Sequence, residues 1–181
     1  MRRHLRSEHL TLLQEWYEST EPMKGRPSQM KAALSADEFV SVMPTWSPGV
    51  WGTIVNTDKA GEKGTHWVVV IVKLDHDAGT RKERLALDPV EDVRGIVRII
   101  DPLPGAFAFA NPLVTLIRER TGLHVRPVEN MRWQRDEWSC GYFSLYALVS
   151  APRPLALDAQ MEKMPRDFPK TVWSILHEIS K

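Results

Sequence analysis

The stretch that decides the fold is MRWQRDEWSCGYFSLYAL, Met131–Leu148, which contains the only cysteine among 181 residues. From Gly141 onward, apolar side chains recur at helical spacing over a wide face, which predicts a helix packed deep in the core. Cys140 would begin that helix, shortly after Asp136 and Ser139, which are both good N-cap residues. The N–H groups of a first helical turn favour negative charge, so this position favours the thiolate form of a cysteine.

Two interpretations of Cys140 follow from its position. A lone cysteine is often only a small buried hydrophobic residue, and such a thiol does no chemistry. A helix start behind a polar run favours instead a reactive thiol. Gly141 is expected to leave the backbone uncrowded, so that its N–H group and that of Cys140 face a substrate oxyanion.

Length and composition limit the class of protein. A chain of 181 residues suits one domain and buries about 70% of its unfolded surface. A single cysteine excludes an internal disulfide and favours a reducing, intracellular location. The net charge is +1, with basic clusters only at 1–6 and 81–84, so at most a weak, local nucleic-acid contact is expected. No membrane span or signal segment is predicted, and we expect a monomer.

Periodicity predicts one α+β domain over residues 1–181, with a mixed central β-sheet flanked by helices. Residues 1–34 are interpreted as an N-terminal helix and loop extension. The predicted helices lie at 7–17, from Ser35 toward Pro44, at 106–120, from Gly141 and from Pro169, and the predicted strands lie at 51–57, 68–74, 84–87, 95–100 and 124–132.

Three polar residues stand where strands begin or end, or just before the cysteine. His66 precedes the continuous apolar run VVVIVKL, Asp101 follows the apolar run GIVRII, and Gln134 lies six positions before Cys140. A thiol peptidase needs a base, a group that orients the base, and donors that stabilise an oxyanion. Each residue alone is common in ordinary loops and turns, but together and in this order they supply all these parts.

The same residues resemble a known superfamily. His-Trp before an apolar strand, Asp after an apolar strand and Gln-x5-Cys-Gly opening an apolar helix resemble the adenovirus-type and ubiquitin-like-protein-processing cysteine proteases, over about residues 39–151. The segment IVNTDKAGEKGTHWVVVIV, residues 54–72, is most similar to the adenovirus maturation protease branch. The six-residue step from Gln134 to Cys140 is more similar to the SUMO-deconjugating branch. The resemblance implies a papain-like, adenain-like fold with the circularly permuted order His-Asp-Gln-Cys.

The resemblance also implies a role for each residue of the set. Cys140 would be the nucleophile, His66 the proton shuttle, Asp101 the orienting acid, and Gln134 an oxyanion donor together with the Cys140 N–H. Trp67 and Gly141 would contact the substrate, although Trp67 is as readily explained as a core residue. No metal and no cofactor are implied.

The implied activity is endopeptidase cleavage after Gly-Gly or Gly-Ala type sequences. The substrate would be a viral precursor polyprotein or a conjugate of a ubiquitin-like protein, so the location would be the host nucleus or cytoplasm, or a virion. A virus and an intracellular bacterium are both open as sources. Whether an activating peptide or DNA is needed is also open.

Several alternatives remain at this point. Asp88, in a second Asp-Pro step, rivals Asp101 as the orienting acid. The same catalytic set could transfer an acetyl group, as in bacterial effectors of this superfamily, or the chain could be a pure binding module with an unreactive Cys140. A metal site at residues 75–77, Asp-His-Asp, is disfavoured because adjacent side chains point in different directions.

Overall fold

The computed structural model describes residues 5–20, 29–30, 32–61, 66–74, 95–103, 107–126, 129–130, 134–136, 139–150 and 164–181. The helices are α1 Ser7–Thr20, α2 Ala36–Val42, α3 Phe107–Thr121, α4 Cys140–Ser150 and α5 Phe168–Ile179, with a 3-10 turn at Met43–Thr45. The strands are β1 Gln29–Met30, β2 Leu34–Ser35, β3 Gly49–Asn56, β4 Trp67–Leu74, β5 Gly95–Asp101, β6 His124–Val125 and β7 Glu129–Asn130. The predicted strand at 84–87, the rival Asp88 and the Asp-His-Asp run at 75–77 lie outside the described residues.

The sheet is mixed, as predicted, and β4 lies at its centre. The strand order is β1-β3-β4-β5-β6, with β2 also pairing with β3 and β7 also pairing with β5. The long strands β3, β4 and β5 are antiparallel neighbours, whereas all four two-residue strands pair in parallel at the two sides. Because β4 and β5 run in opposite directions, the first residues of β4 lie beside the last residues of β5.

The single strand predicted over residues 124–132 is wrong. The structure has two short strands there, which pair with different parts of β5. Ile96 is paired with His124 and Ile100 with Glu129, so four steps along β5 correspond to five steps along its partner. The pairing with β5 thus shifts by one residue between β6 and β7, and Arg126, which follows β6, is not part of a strand.

The side chains of β4 alternate between two apolar layers. Val69 and Ile71 pack in the cluster that contains the buried faces of α1, α4 and α5. Val68, Val70 and Val72 pack on the other side in the cluster that contains α2 and α3. All five side chains are fully buried, which explains why this strand is a continuous apolar run and not an alternating one.

The helix ends follow the predicted chemistry. The Glu38 carboxylate accepts the Ser35 N–H at 2.9 Å, which is one half of the predicted capping box of α2. α3 closes at Gly122, whose φ of +67° lies in the left-handed region that favours glycine. α1 runs to Thr20, beyond its predicted end at Tyr17. None of the described helices is long and apolar enough to cross a membrane.

Candidate active site

His66 and Asp101 form a buried pair at the edge where β4 begins and β5 ends. Nε2 of His66 lies 2.8 Å from Oδ1 of Asp101, and the exposed fractions of the two side chains are 2% and 0%. The same Oδ1 accepts the N–H of Leu103 at 2.8 Å, which fixes the carboxylate just after the strand. The structure therefore brings Asp101 to His66, whereas the rival candidate Asp88 lies outside the described residues.

The electrostatics of the site raise the proton affinity of His66. Burial alone lowers the pKa of His66, because it removes water from the charged imidazolium. Hydrogen bonds to Asp101 and Cys140, together with their charges, outweigh this effect and raise the pKa from its ordinary value of 6.5 to about 9. Since Nε2 is bonded to Asp101, Nδ1 is the ring nitrogen that remains for Cys140. With a pKa of about 9, His66 carries a proton at neutral pH, and it interacts with both Asp101 and Cys140.

Cys140 is the first residue of α4, as the sequence predicts. The first helical hydrogen bond runs from the Phe143 N–H to the Ser139 carbonyl oxygen at 3.1 Å, so Ser139 is the N-cap residue. The Asp136 carboxylate accepts the Ser139 N–H at 2.8 Å. The N–H groups of Cys140 and Gly141 belong to the first turn, where a helix offers no acceptor of its own. They supply the positive end of the helix dipole next to the thiol.

Gln134 is joined to the same edge of the sheet. Its backbone N–H donates to the carbonyl of Pro102 at 3.0 Å, immediately after Asp101. Its side-chain Nε2 donates to the carbonyl of Asp136 at 2.5 Å, and the residue is 1% exposed. An amide nitrogen carries two hydrogens, so this geometry leaves one of them for another acceptor.

Gly141 and Trp67 lie against each other, with Leu5 beside them. A methyl group built on Gly141 would lie 3.1 Å from Leu5 Cβ and 3.7 Å from Trp67 Cδ1. The absence of a side chain at Gly141 lets Leu5 and Trp67 pack against its backbone, and the access of its N–H group to a substrate oxyanion stays a prediction. A side chain at position 141 would require Leu5 to shift by a few tenths of an ångström.

Sequence reasoning missed two residues of this region, Leu5 and Ser144. The Ser144 hydroxyl donates to the carbonyl of Trp67 at 2.9 Å, across from α4 to β4. A serine within the run YFSLYALV was a detectable signal, since a hydroxyl in an apolar helix needs a partner. Nothing in the sequence marks Leu5. Among the side chains that the structure describes, no group of three or more histidine, cysteine or acidic residues forms a possible metal site.

Solved structures share this architecture. The SUMO protease Ulp1, determined with its catalytic cysteine oxidised to a sulfinic acid, gives a TM-score of 0.54 at 13% identity, and the match covers 98% of this chain and 78% of that chain. HopZ1a in complex with IP6 and CoA gives 0.59 at 14% identity, covering 94% of this chain and 46% of that chain. AvrA delL154 with IP6 and CoA gives a TM-score of 0.51 at 15% identity, and the match covers 96% of this chain and 69% of that chain.

These likenesses establish the fold. The chain has the α+β fold of the ubiquitin-like-protein-processing cysteine proteases, with a mixed sheet between helices, as the resemblance in sequence implied. It spans less than half the length of the HopZ1a chains that it matches. No protein-family model and no curated protein matches the sequence.

Proposed function

We propose that the chain is a cysteine peptidase that cleaves peptide or isopeptide bonds after small residues of Gly-Gly or Gly-Ala type. The observation that carries this proposal is the buried His66 imidazole, held by Asp101 on one side and in contact with Cys140 on the other. The thiolate is the nucleophilic form of cysteine, and an imidazole in contact with the thiol is the base that such a nucleophile needs.

Each group of the site has a role in the mechanism. The Cys140 thiolate attacks the carbonyl carbon, and the carbonyl oxygen becomes an oxyanion facing the Cys140 N–H and the remaining hydrogen of Gln134 Nε2. His66 gives its proton to the leaving amine as the carbon–nitrogen bond breaks. A water then loses a proton to His66 and attacks the thioester, which releases the carboxylic acid and regenerates the Cys140 thiolate beside protonated His66. Asp101 keeps the imidazole oriented throughout.

The preferred substrate class is the C-terminal tail of a ubiquitin-like protein. One fold neighbour is the Ulp1 protease domain in complex with SMT3, the yeast orthologue of SUMO, with a TM-score of 0.51 at 13% identity. Trp67, next to His66 in sequence, would close over a glycine main chain more readily than over a bulky side chain. The adenovirus-like segment at 54–72 supports a viral precursor as the second substrate class, and either substrate would be met inside a cell.

The test uses the full chain with ubiquitin-like proteins that carry C-terminal electrophiles, beside a library of Gly-Gly-x peptides. We expect a covalent adduct on Cys140, found by mass spectrometry, and cleavage of at least one substrate class. Cys140→Ala should lose both while keeping the unfolding transition of the wild type. A folded wild-type protein that forms no adduct and cleaves nothing would refute the peptidase, and tight binding without an adduct would favour the pure binding module.

Acyl transfer is the second candidate, because HopZ1a and AvrA were determined with CoA. The same thiolate would attack acetyl-coenzyme A and form an acetyl thioester on Cys140, with free coenzyme A as the leaving thiol. Mass spectrometry after incubation with acetyl-coenzyme A separates the two activities. An acetylated Cys140 without cleavage of any peptide would decide for the transferase.

A further inference from the structure

Ser144 is buried within α4, one turn after Cys140, so the two side chains lie on the same side of the helix. A helical serine usually bonds to the carbonyl of its own helix four residues earlier, as Ser41 and Ser174 do here. Ser144 instead donates to Trp67 in β4, the residue next to His66. The hydroxyl therefore joins the helix that carries the thiol to the strand end that carries the imidazole.

The carbonyl of Trp67 is available for this bond because of a proline. Thr57 of the preceding turn donates its N–H to the carbonyl of His66 at 2.9 Å, so the backbone of the next residue, Trp67, faces the other neighbour, β5. Extending the β4–β5 register beyond its last pair places Trp67 opposite Pro102. Proline has no N–H and cannot continue the ladder, so the ladder has no donor for the Trp67 carbonyl.

We infer that Ser144 is a positioning residue, which sets the distance between the Cys140 thiol and the His66 imidazole through its bond to the Trp67 carbonyl. The neighbouring residues Asp101 and Pro102 then have separate roles. The aspartate orients the imidazole, and the proline leaves a backbone acceptor for the helix of the nucleophile. This inference rests on the proposed function only in taking Cys140 and His66 as the reacting pair.

The test compares Ser144→Ala with the wild type in two measurements. The first is the rate of Cys140 alkylation by iodoacetamide as a function of pH, which needs no substrate. We expect the variant to lose reactivity at neutral pH and to require more alkaline solution, because a displaced imidazolium stabilises the thiolate less. The second is steady-state turnover, where we expect kcat to fall roughly 10- to 100-fold with little change in KM, as for a misplaced reacting group.

Controls separate positioning from packing. Ala147→Gly weakens the same buried helix without touching the bond, and it should leave the alkylation profile unchanged. Ser144→Thr and Ser144→Val have the same shape and differ in the hydroxyl, so only the threonine variant should keep the wild-type profile. If Ser144→Ala does not fold, the comparison of the threonine and valine variants tests the inference in its place.

Two results would overturn the inference. One is an unchanged alkylation profile in Ser144→Ala, and the other is the same change in the threonine and valine variants. A protein that cleaves no substrate but shows the hydroxyl-dependent profile would retain the inference and lose the peptidase. Normal cleavage with an unchanged alkylation profile in Ser144→Ala would support the peptidase and refute the inference.

Discussion

His66 is the residue through which the acid and the thiol act on each other. Its ring is buried, so water screens neither partner, and the two interactions together overcome the cost of burying a charged imidazole. An imidazole held at one nitrogen by Asp101 presents the other nitrogen in a fixed direction. This arrangement explains why a single contact to an aspartate affects the chemistry of a cysteine on another element.

Asp101→Asn should lower turnover strongly without unfolding the protein. Asparagine keeps the size and can still accept the Leu103 N–H, but it no longer stabilises an imidazolium by charge. Removal of the orienting carboxylate in such triads costs on the order of 100- to 10,000-fold in turnover. Steady-state cleavage and a urea unfolding curve of the same preparation measure the two effects separately.

Two other aspartates provide controls for this prediction. Asp37 accepts the Ala60 N–H at 2.8 Å, away from the site, so Asp37→Asn should leave turnover unchanged. Asp88→Asn is also expected to leave turnover nearly unchanged. Strong loss in Asp88→Asn with a normal Asp101→Asn would transfer the orienting role to Asp88.

The stability of the protein should fall between pH 6.5 and pH 9 because of His66. In this range folded His66, with a pKa of about 9, keeps a proton that the unfolded chain has lost near 6.5. Stabilisation is therefore complete below about pH 6.5 and is lost as pH rises through about 9, up to a total of about 3 kcal/mol. Urea unfolding from pH 6 to pH 10 should show a steeper decline for the wild type than for His66→Asn, and parallel curves would contradict the assignment.

At the scale of elements, the start of α4 is organised by Asp136. Its side chain accepts the Ser139 N–H and its backbone carbonyl accepts Gln134 Nε2, so one residue supports both sides of the proposed oxyanion site. Asp136→Ala should cost about 1 kcal/mol of stability, as for one lost hydrogen bond, and should also lower turnover. Asp136→Asn keeps an acceptor and should stay close to the wild type in urea unfolding and cleavage assays. Equal damage from both variants would show that the charge, and not the hydrogen bond, is what matters.

The long elements could be predicted from the sequence because their packing is periodic. β4 is apolar at every position since both of its faces are covered, and α1, α3 and α5 each show one apolar stripe. The two-residue strands could not be predicted, because two residues have no period and their parallel pairing depends on β3 and β5. The same limit produced the error over residues 124–132.

The site, like the fold, could be predicted from the sequence only in part. His66, Asp101 and Cys140 could be named because each stands at a strand end or helix start, and Gln134 because its spacing from Cys140 belongs to the motif that joins all four. Their bonds to backbone groups, such as Gln134 to Pro102, could not be predicted because they depend on the register between distant segments. The packing of Leu5 beside Gly141 could not be predicted either, because nothing in the sequence around Gly141 indicates it.

At the scale of the whole molecule, the N-terminal helix packs against the helix that carries the cysteine. α1 contributes Leu10, Leu13 and Tyr17 to the cluster shared with α4 and α5. The backbone N–H of Arg6 donates to His9 Nδ1 at 3.3 Å, and the His9 ring meets Trp173 of α5 edge-on at 5.4 Å. These contacts fix the entry into α1, and with it the position of Leu5 on Gly141.

Leu5 and Trp67 should therefore both contribute to selectivity for glycine near the cut. Their side chains occupy the space around Gly141, and removing either side chain opens room beside Cys140. We expect Leu5→Ala and Trp67→Ala to raise kcat/KM for substrates with alanine before the cut relative to glycine, by roughly 10-fold, the scale of one or two methylene groups in a tight pocket. Leu12→Ala, at an exposed position of α1, should change neither selectivity nor turnover. Loss of stability in the first two variants with unchanged selectivity would show that Leu5 and Trp67 serve packing alone.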